Sequence, residues 1–457
     1  MAQQKETSSG VSQENTLDRT LKLSDLITYG LIFMIPVAPV AFYGSQVGGA
    51  HGLVAAAYVI GLIAMLFTAF SYIALSKLYP YAGSVYNFVR QGTGNGGVGF
   101  IAGWGIILDY LLLPSVTTLV GVGFLSQLVP QVPGWLWAVI IVVIIATISS
   151  LGVGILSKFS KAFLALQLVL IVWFVGATFL AVAHGTVHFS AAAFYNPNDF
   201  SFSNVLSATG LVIVSFMGYD AISTLSEEAQ EPRRNVPRAI IISLVTVGLI
   251  FVLLTFLAGS VQPDYTQVNP DSGFLDILGI VGGRPLQIFA SIVVVLSFSL
   301  ASGEECVTSV SRVIYAIGRD GILPRSFGRL SPRFHTPVVA TVTVGAITLF
   351  LSLTTSTDVL GNTVSFGALF SFILLNLTVV WHLFVKNNDR SLKSVLKYLA
   401  SPLIGAAVSV WIFTGLGSLA WGVGSAWIAV GLVIIAVRTH GFTRHLADER
   451  NLATYFA

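Results

Sequence analysis

Glu304 and Glu305 stand side by side inside an otherwise apolar run, and Asp109 and Asp220 occupy two further runs of the same kind. An ionisable side chain within a membrane span costs about 2.5–3.5 kcal/mol on insertion scales, so each acid is a candidate functional group. The chemistry open to them is ion handling. A buried acid beside an organic cation has its charged form favoured, whereas an unpaired one stays protonated, so either ammonium binding or proton carriage suits the set. Adjacent helix residues point about 100° apart, which keeps Glu304 and Glu305 from facing one pocket. One is expected to line a substrate path and the other a second interface; the competing reading is a hydrogen bond between helices. Asp220 either gates or couples protons, or pins a local turn through its own hydrogen bonds. Asp109 is expected to be structural. Glu227 and Glu228, beside Arg233 and Arg234, are expected to form ion pairs at a span end.

Nothing around these acids makes a catalytic set. They are spread over separate segments without a nucleophile or metal partner, so no enzyme activity and no cofactor is expected. The 7 histidines are scattered without metal-type spacing such as H-E-x-x-H. The glycine-rich stretch from Gly92 to Gly99 lacks a following Lys-Ser/Thr and a preceding strand, so it reads as a flexible entry to a span and not as a phosphate loop. Cys306 is the single cysteine, which excludes an intrachain disulfide. No filter-like sequence of an ion channel is visible.

The elements that position the acids are membrane helices. Hydrophobic residues make up 55% of the 457 and charged ones 9%, a composition of integral membrane proteins. A span needs about 20 mainly apolar residues. On that rule spans one to six fall near 24–47, 53–77, 98–128, 134–153, 160–183 and 204–224, and spans seven to twelve near 238–260, 285–312, 336–354, 360–384, 396–418 and 422–437. Helices are preferred because lipid cannot satisfy backbone polar groups and the segments lack barrel-strand alternation. Of the 23 Lys and Arg residues only Arg284 then falls on the outer side. Basic residues are retained on the cytoplasmic face, so both termini are placed inside, with polar tails at 1–20 and 438–457 flanking a permease domain at 21–437 in the cell membrane. The net charge of +3 reflects this topology and implies no nucleic-acid partner.

Two spans are interrupted at comparable places. Span one holds Pro36-Val-Ala-Pro39, whose prolines remove backbone donors and clash with the preceding turn. Span six holds Ser215-Phe-Met-Gly-Tyr-Asp220. They stand five helices apart, as an inverted repeat of five plus five helices requires, and broken helices at corresponding positions point to a midplane binding site. The competing reading is the ordinary frequency of Pro and Gly in membrane helices.

Three stretches resemble signatures of the amino acid–polyamine–organocation permeases. They are Tyr79-Pro-Tyr-Ala-Gly-Ser-Val-Tyr86, the run from Phe216 through Glu228 to Pro237, and Ser311-Arg-Val-Ile-Tyr-Ala-Ile-Gly-Arg-Asp-Gly-Ile-Leu-Pro324 followed by Thr336-Pro337. Within that superfamily Ile107-Leu-Asp-Tyr-Leu-Leu-Leu-Pro114 and Leu300-Ala-Ser-Gly303 are similar to bacterial putrescine importers. The resemblance implies an all-α membrane protein of twelve helices. It has inverted halves at 24–183 and 204–384 and two additional helices at 396–437. It also implies a secondary carrier, proton-coupled or exchanging, that works by alternating access. The substrate would lie between broken spans one and six and helices three and eight, near Ala38, Pro39, Phe42, Thr117, Phe216, Tyr219, Glu304 and Glu305, with Asp220 or Glu304 coupling a proton and Asp109, Glu227 and Arg233 structural.

Departures from the family pattern bear on the substrate, a small amine or an amino acid. Relatives with a glycine-rich break in span one use free N–H groups there for a carboxylate, but Pro36 and Pro39 supply none. Some relatives carry a lysine where this chain has Ala165-Leu-Gln167, and loss of that charge makes room for a cation. The gating aromatic of span six is replaced by Val214, leaving Phe216 or Tyr219 for that role. Putrescine importers carry an acid where this chain has Ala41, so the ammonium partner would move to Glu304 or Glu305.

Overall fold

The computed structural model describes residues 19–80, 84–151, 153–197, 200–226, 228–270, 273–319, 324, 326–331 and 336–438. The expected tails lie almost wholly outside the described residues, as does Glu227. Among the described residues 11 helices are long and apolar enough to cross a membrane, and Val338–Thr354, with 17 residues, is a shorter apolar helix. The protein is an all-α multi-pass membrane protein, and its one extended pairing among these residues is the isolated parallel bridge of Leu21 with Ala229.

In chain order the spans are span 1 (Leu23–Gly49), span 2 (Val54–Leu78), span 3 (Gly96–Leu128), span 4 (Gly134–Leu151), span 5 (Lys161–Ala183) and span 6 (Ala208–Leu225). They continue as span 7 (Pro232–Val261), span 8 (Gly273–Ser311), span 9 (Val338–Thr354), span 10 (Val359–Val385), span 11 (Leu392–Thr414) and span 12 (Ser418–Val437). A short helix, Ser84–Thr93, joins spans 2 and 3.

Span 1 is two helices, Leu23–Met34 and Ala38–Gly49. The first stops at Ile35, whose φ of 51° is costly for a β-branched residue. Pro36 cannot continue the ladder, and the second helix restarts with Pro39 in its first turn, where a missing N–H is tolerated. In span 6 the α-helix Phe202–Val212 tightens into a 3₁₀ turn at Ile213–Phe216, Met217 is extended, and a second 3₁₀ stretch covers Tyr219–Leu225. Gly218 between them has φ of 111°, and a Cβ there would overlap the Phe33 ring. The two interruptions therefore pack against each other.

A short helix over 273–282 precedes the expected start of span 8. Gly283, at φ 67° and ψ −171°, separates it from the helix that follows, and Arg284 stands at that junction, beside the expected first residue at 285. At 1.5 Å per residue the 39 residues from Gly273 to Ser311 exceed one crossing, so the junction divides a surface helix from the span. Below the kink, Val295–Ser302 is π-helical, and the α-helix resumes at Gly303 with Glu304 and Glu305 in its first turn. Span 11 ends at Thr414 with Gly415 as its cap, short of the expected 418.

Small residues bring the helices close. Gly105 of span 3 lies against Ser371 of span 10, and Gly248 of span 7 against Leu62 of span 2. Span 12 is fastened to span 3 by a reciprocal pair. Each of Trp104 and Trp427 donates its Nε1–H to the other's carbonyl at 2.8 Å, with rings stacked at 4.5 Å.

Candidate functional site

Around the span 1 break four of the backbone donors are missing or engaged. Pro36 and Pro39 have no N–H, while Ala38 donates to the Ile35 carbonyl at 2.8 Å and Val40 to the Val37 carbonyl at 2.9 Å. Ala38 and Pro39 are buried, and Phe42 packs edge-on against Phe298 of span 8 at 5.5 Å. Thr117 of span 3 turns its hydroxyl to its own helix, at the Pro114 carbonyl, and its carbonyl accepts from Ser299 of span 8 at 2.7 Å. Gly303 sits so near that a Cβ would come to 3.0 Å from Thr117 Oγ1. Spans 1, 3 and 8 thus converge at the expected level, with Ser299 engaged between helices.

The adjacent glutamates divide as helical geometry demands. Glu304 is buried and its Oε1 accepts from Thr308 at 2.7 Å, and Thr308 in turn shares a 2.7 Å hydrogen bond with Ser149 of span 4. Glu305 is half-buried, and its Oε2 is enclosed without a hydrogen-bond partner. Glu304 therefore looks to a hydroxyl chain between helices, and Glu305 carries the unsatisfied acceptor. A buried acceptor left without a partner is costly, which makes Glu305 the stronger ligand candidate.

Asp220 and Asp109 form the second acidic group. Tyr110 of span 3 donates to Asp220 Oδ2 at 2.9 Å, and the backbone amides of Gly218, Asp220 and Ala221 also serve this carboxyl. Both readings of Asp220 survive in this geometry, since the local amides pin the unwound turn while Tyr110 ties it to span 3. Asp109 is buried, its Oδ1 has no hydrogen-bond partner, and it is in electrostatic contact with Asp220. That orphaned oxygen is not what a purely structural residue would show. Cys306, next in sequence to Glu305, is buried. Spans 1, 3 and 6 contain no Lys or Arg, and span 8 only Arg284. Among the described residues the ion pairs are Lys161–Asp25 and Arg234–Glu231, both at span ends.

Other expected residues lie elsewhere. Phe216 is committed to Tyr58 of span 2 and Phe251 of span 7, at 5.8 and 5.3 Å, and Tyr219 to Tyr72 of span 2 and Phe372 of span 10, at 5.7 and 5.9 Å. Each ring is packed among aromatic side chains of the surrounding helices. Arg233 is exposed, and Arg234 pairs with Glu231 at 3.4 Å and not with Glu228, because three residues of spacing across the start of span 7 bring them together, while Glu227 lies outside the described residues. Gln167 of span 5 is buried with its Oε1 unpartnered, a further acceptor without a donor.

The sequence pattern does not single out Phe33, which meets Gly218 and packs edge-on to Tyr110 at 6.2 Å, or the Tyr58 hydroxyl, which reaches Gln46 and Ser215 at 3.2 and 2.9 Å. Buried tyrosines and a buried glutamine in apolar helices are the only sequence signals for these links. No cluster of three or more His, Cys, Asp or Glu able to hold a metal occurs among the described residues.

A family model described as Amino acid permease matches residues 25–438. The low-affinity putrescine importer PlaP of Escherichia coli is 31% identical over 443 residues, covering 96% of this chain and 97% of that protein. The branched-chain amino acid permease BcaP of Bacillus subtilis is 26% identical over 453 residues, covering 93% of each. The crystal structure of MhsT in complex with L-phenylalanine shares the fold, with a TM-score of 0.61 at 14% identity over 88% of this chain and 100% of that one. Interrupted spans five helices apart, the permease signatures and these likenesses agree, and the chain belongs to the amino acid permease family of the amino acid–polyamine–organocation superfamily.

Proposed function

We propose that the protein is a secondary carrier that imports a small organic amine of the putrescine type by alternating access, with protons as the coupling ion. The observation that carries this reading is an interior that, among the described residues, holds four acids and no base, and in which Asp109 Oδ1 and Glu305 Oε2 have no partner. Two separated carboxylates of this kind suit a ligand with an ammonium group at each end, because an unpaired buried charge is far more costly than a paired one. The proline-bearing break of span 1, poor in free N–H groups, disfavours a carboxylate ligand. The similarity to a putrescine importer points the same way.

In this reading Glu305 receives an ammonium group, Phe42 and Phe298 wall the methylene chain, and Glu304 and Asp220 hold the exchangeable protons. Residues 24–183 and 204–384 act as inverted halves that rock about the interruptions, in the cell membrane with both termini inside. A second reading, an amino acid carrier, is supported by the similarity to the branched-chain permease. Uptake of labelled putrescine into proteoliposomes, set against a panel of amino acids and measured with and without an inward proton gradient, separates them. Gradient-driven putrescine uptake that leucine does not inhibit supports the first reading; accumulation of amino acids alone overturns it.

A further inference from the structure

Where span 2 ends and span 7 begins, the protein has a groove of about 480 Å³ that lies apart from the acids and the interrupted helices. Its rim is basic: Lys77 from span 2 and Arg233, Arg234 and Arg238 from span 7. Its wall is apolar, with Phe70 and Ile73 on one side and Ile241 on the other. Arg234 is partly neutralised by Glu231, but no carboxylate among the described residues pairs with Lys77, Arg233 or Arg238, all exposed.

The vertical order of these groups is informative. From Phe70 to Lys77 and from Arg234 to Ile241 the interval is seven residues in each case, about 10 Å of helix rise. The two helices thus present Lys77, Arg233 and Arg234 near their ends, Arg238 one turn further in, and Phe70 and Ile241 about 10 Å from the outermost cations, towards the hydrocarbon. A soluble anion would satisfy the rim and leave the wall bare. A molecule with a phosphate joined to acyl chains satisfies both, and the N-terminal end of span 7 adds the partial positive charge of its free amides. We infer that this groove binds an anionic glycerophospholipid, its phosphate held by Lys77, Arg233 and Arg238 and an acyl chain laid along Phe70 and Ile241.

The test is thermal unfolding of the purified full chain in neutral detergent with added phosphatidylglycerol, phosphatidylcholine or inorganic phosphate. A ligand near a hundred times its Kd should raise Tm by about 3 °C. Phosphatidylglycerol is expected to give such a shift and the other two none. The combined Lys77→Gln, Arg233→Gln and Arg238→Gln variant should lose at least half of it. A matched variant at Lys386, Lys393 and Lys397, basic residues outside the groove, should keep it. Arg233→Gln alone, in case the triple variant fails to fold, should raise the half-saturating lipid concentration at least threefold. Equal shifts from phosphatidylcholine or inorganic phosphate, or equal losses in the groove and matched variants, overturn the inference.

Discussion

The Tyr110 hydroxyl donates to Asp220 Oδ2 at 2.9 Å, joining the regular helix of span 3 to the unwound segment of span 6. Neither residue reaches solvent freely, since Asp220 is 1% and Tyr110 7% exposed. The bond holds a broken helix to a continuous one.

Removing that donor while keeping the ring tests its role. A hydrogen bond to a charged group contributes about 1.5–3 kcal/mol. Tyr110→Phe should lower Tm and cut initial uptake by at least about tenfold, since 1.4 kcal/mol is a factor of ten. Wild-type uptake in Tyr110→Phe would show that Asp220 is held by its local amides alone.

The unequal surroundings of the two glutamates predict unequal losses. Glu305→Gln should raise the KM for a cationic substrate by at least about tenfold, the loss of one buried ion pair. Glu304→Gln, with its amide still able to meet Thr308, should change KM little but weaken the response to an imposed proton gradient. Measuring uptake against substrate concentration at two gradients checks both, and the reverse pattern would exchange their roles.

Gly218 has a positive φ and no room for a side chain beside Phe33. Gly218→Ala should destabilise the protein by about 1–3 kcal/mol, combining backbone strain with overpacking. Adding Phe33→Leu should recover only the steric part. A double-mutant cycle on Tm that shows strict additivity would mean that the two breaks do not touch in the membrane.

The Trp104–Trp427 pair binds span 12 to span 3 outside the site. Trp427→Phe removes one of the two donors and should lower stability by about 1–2 kcal/mol, a hydrogen bond plus part of the stacking contact. KM for the transported substrate should stay unchanged. A changed KM in proteoliposomes would extend the site's mechanical surroundings to span 12.

Much of this architecture is legible before any coordinates, because lipid permits so few backbone solutions. Charge placement and proline clusters locate the spans and the interruption at Ile35 to Val37, and glycine beside Asp220 marks the other. What escapes is side-chain direction. Phe216 and Tyr219 sit where a pocket is expected, yet a 3₁₀ stretch advances 120° per residue instead of 100°, so rings placed by α-helical spacing turn to spans 2, 7 and 10. Likewise the π-turn at Val295–Ser302 has no sequence code, and it rotates everything below it, including Glu304 and Glu305. The split between those two residues was readable only as a necessity, not as an assignment.

Leu21 gives its N–H to the Glu228 carbonyl at 3.0 Å and receives that of Gln230 at 2.8 Å. These bonds stitch the strand leading into span 1 to the loop leaving span 6. Under the alternating access proposed above, the two half-helices that flank the stitch are coupled as parts of one lever: displacing one alone tears a seam of two hydrogen bonds, a penalty of about 1–3 kcal/mol that joint movement avoids.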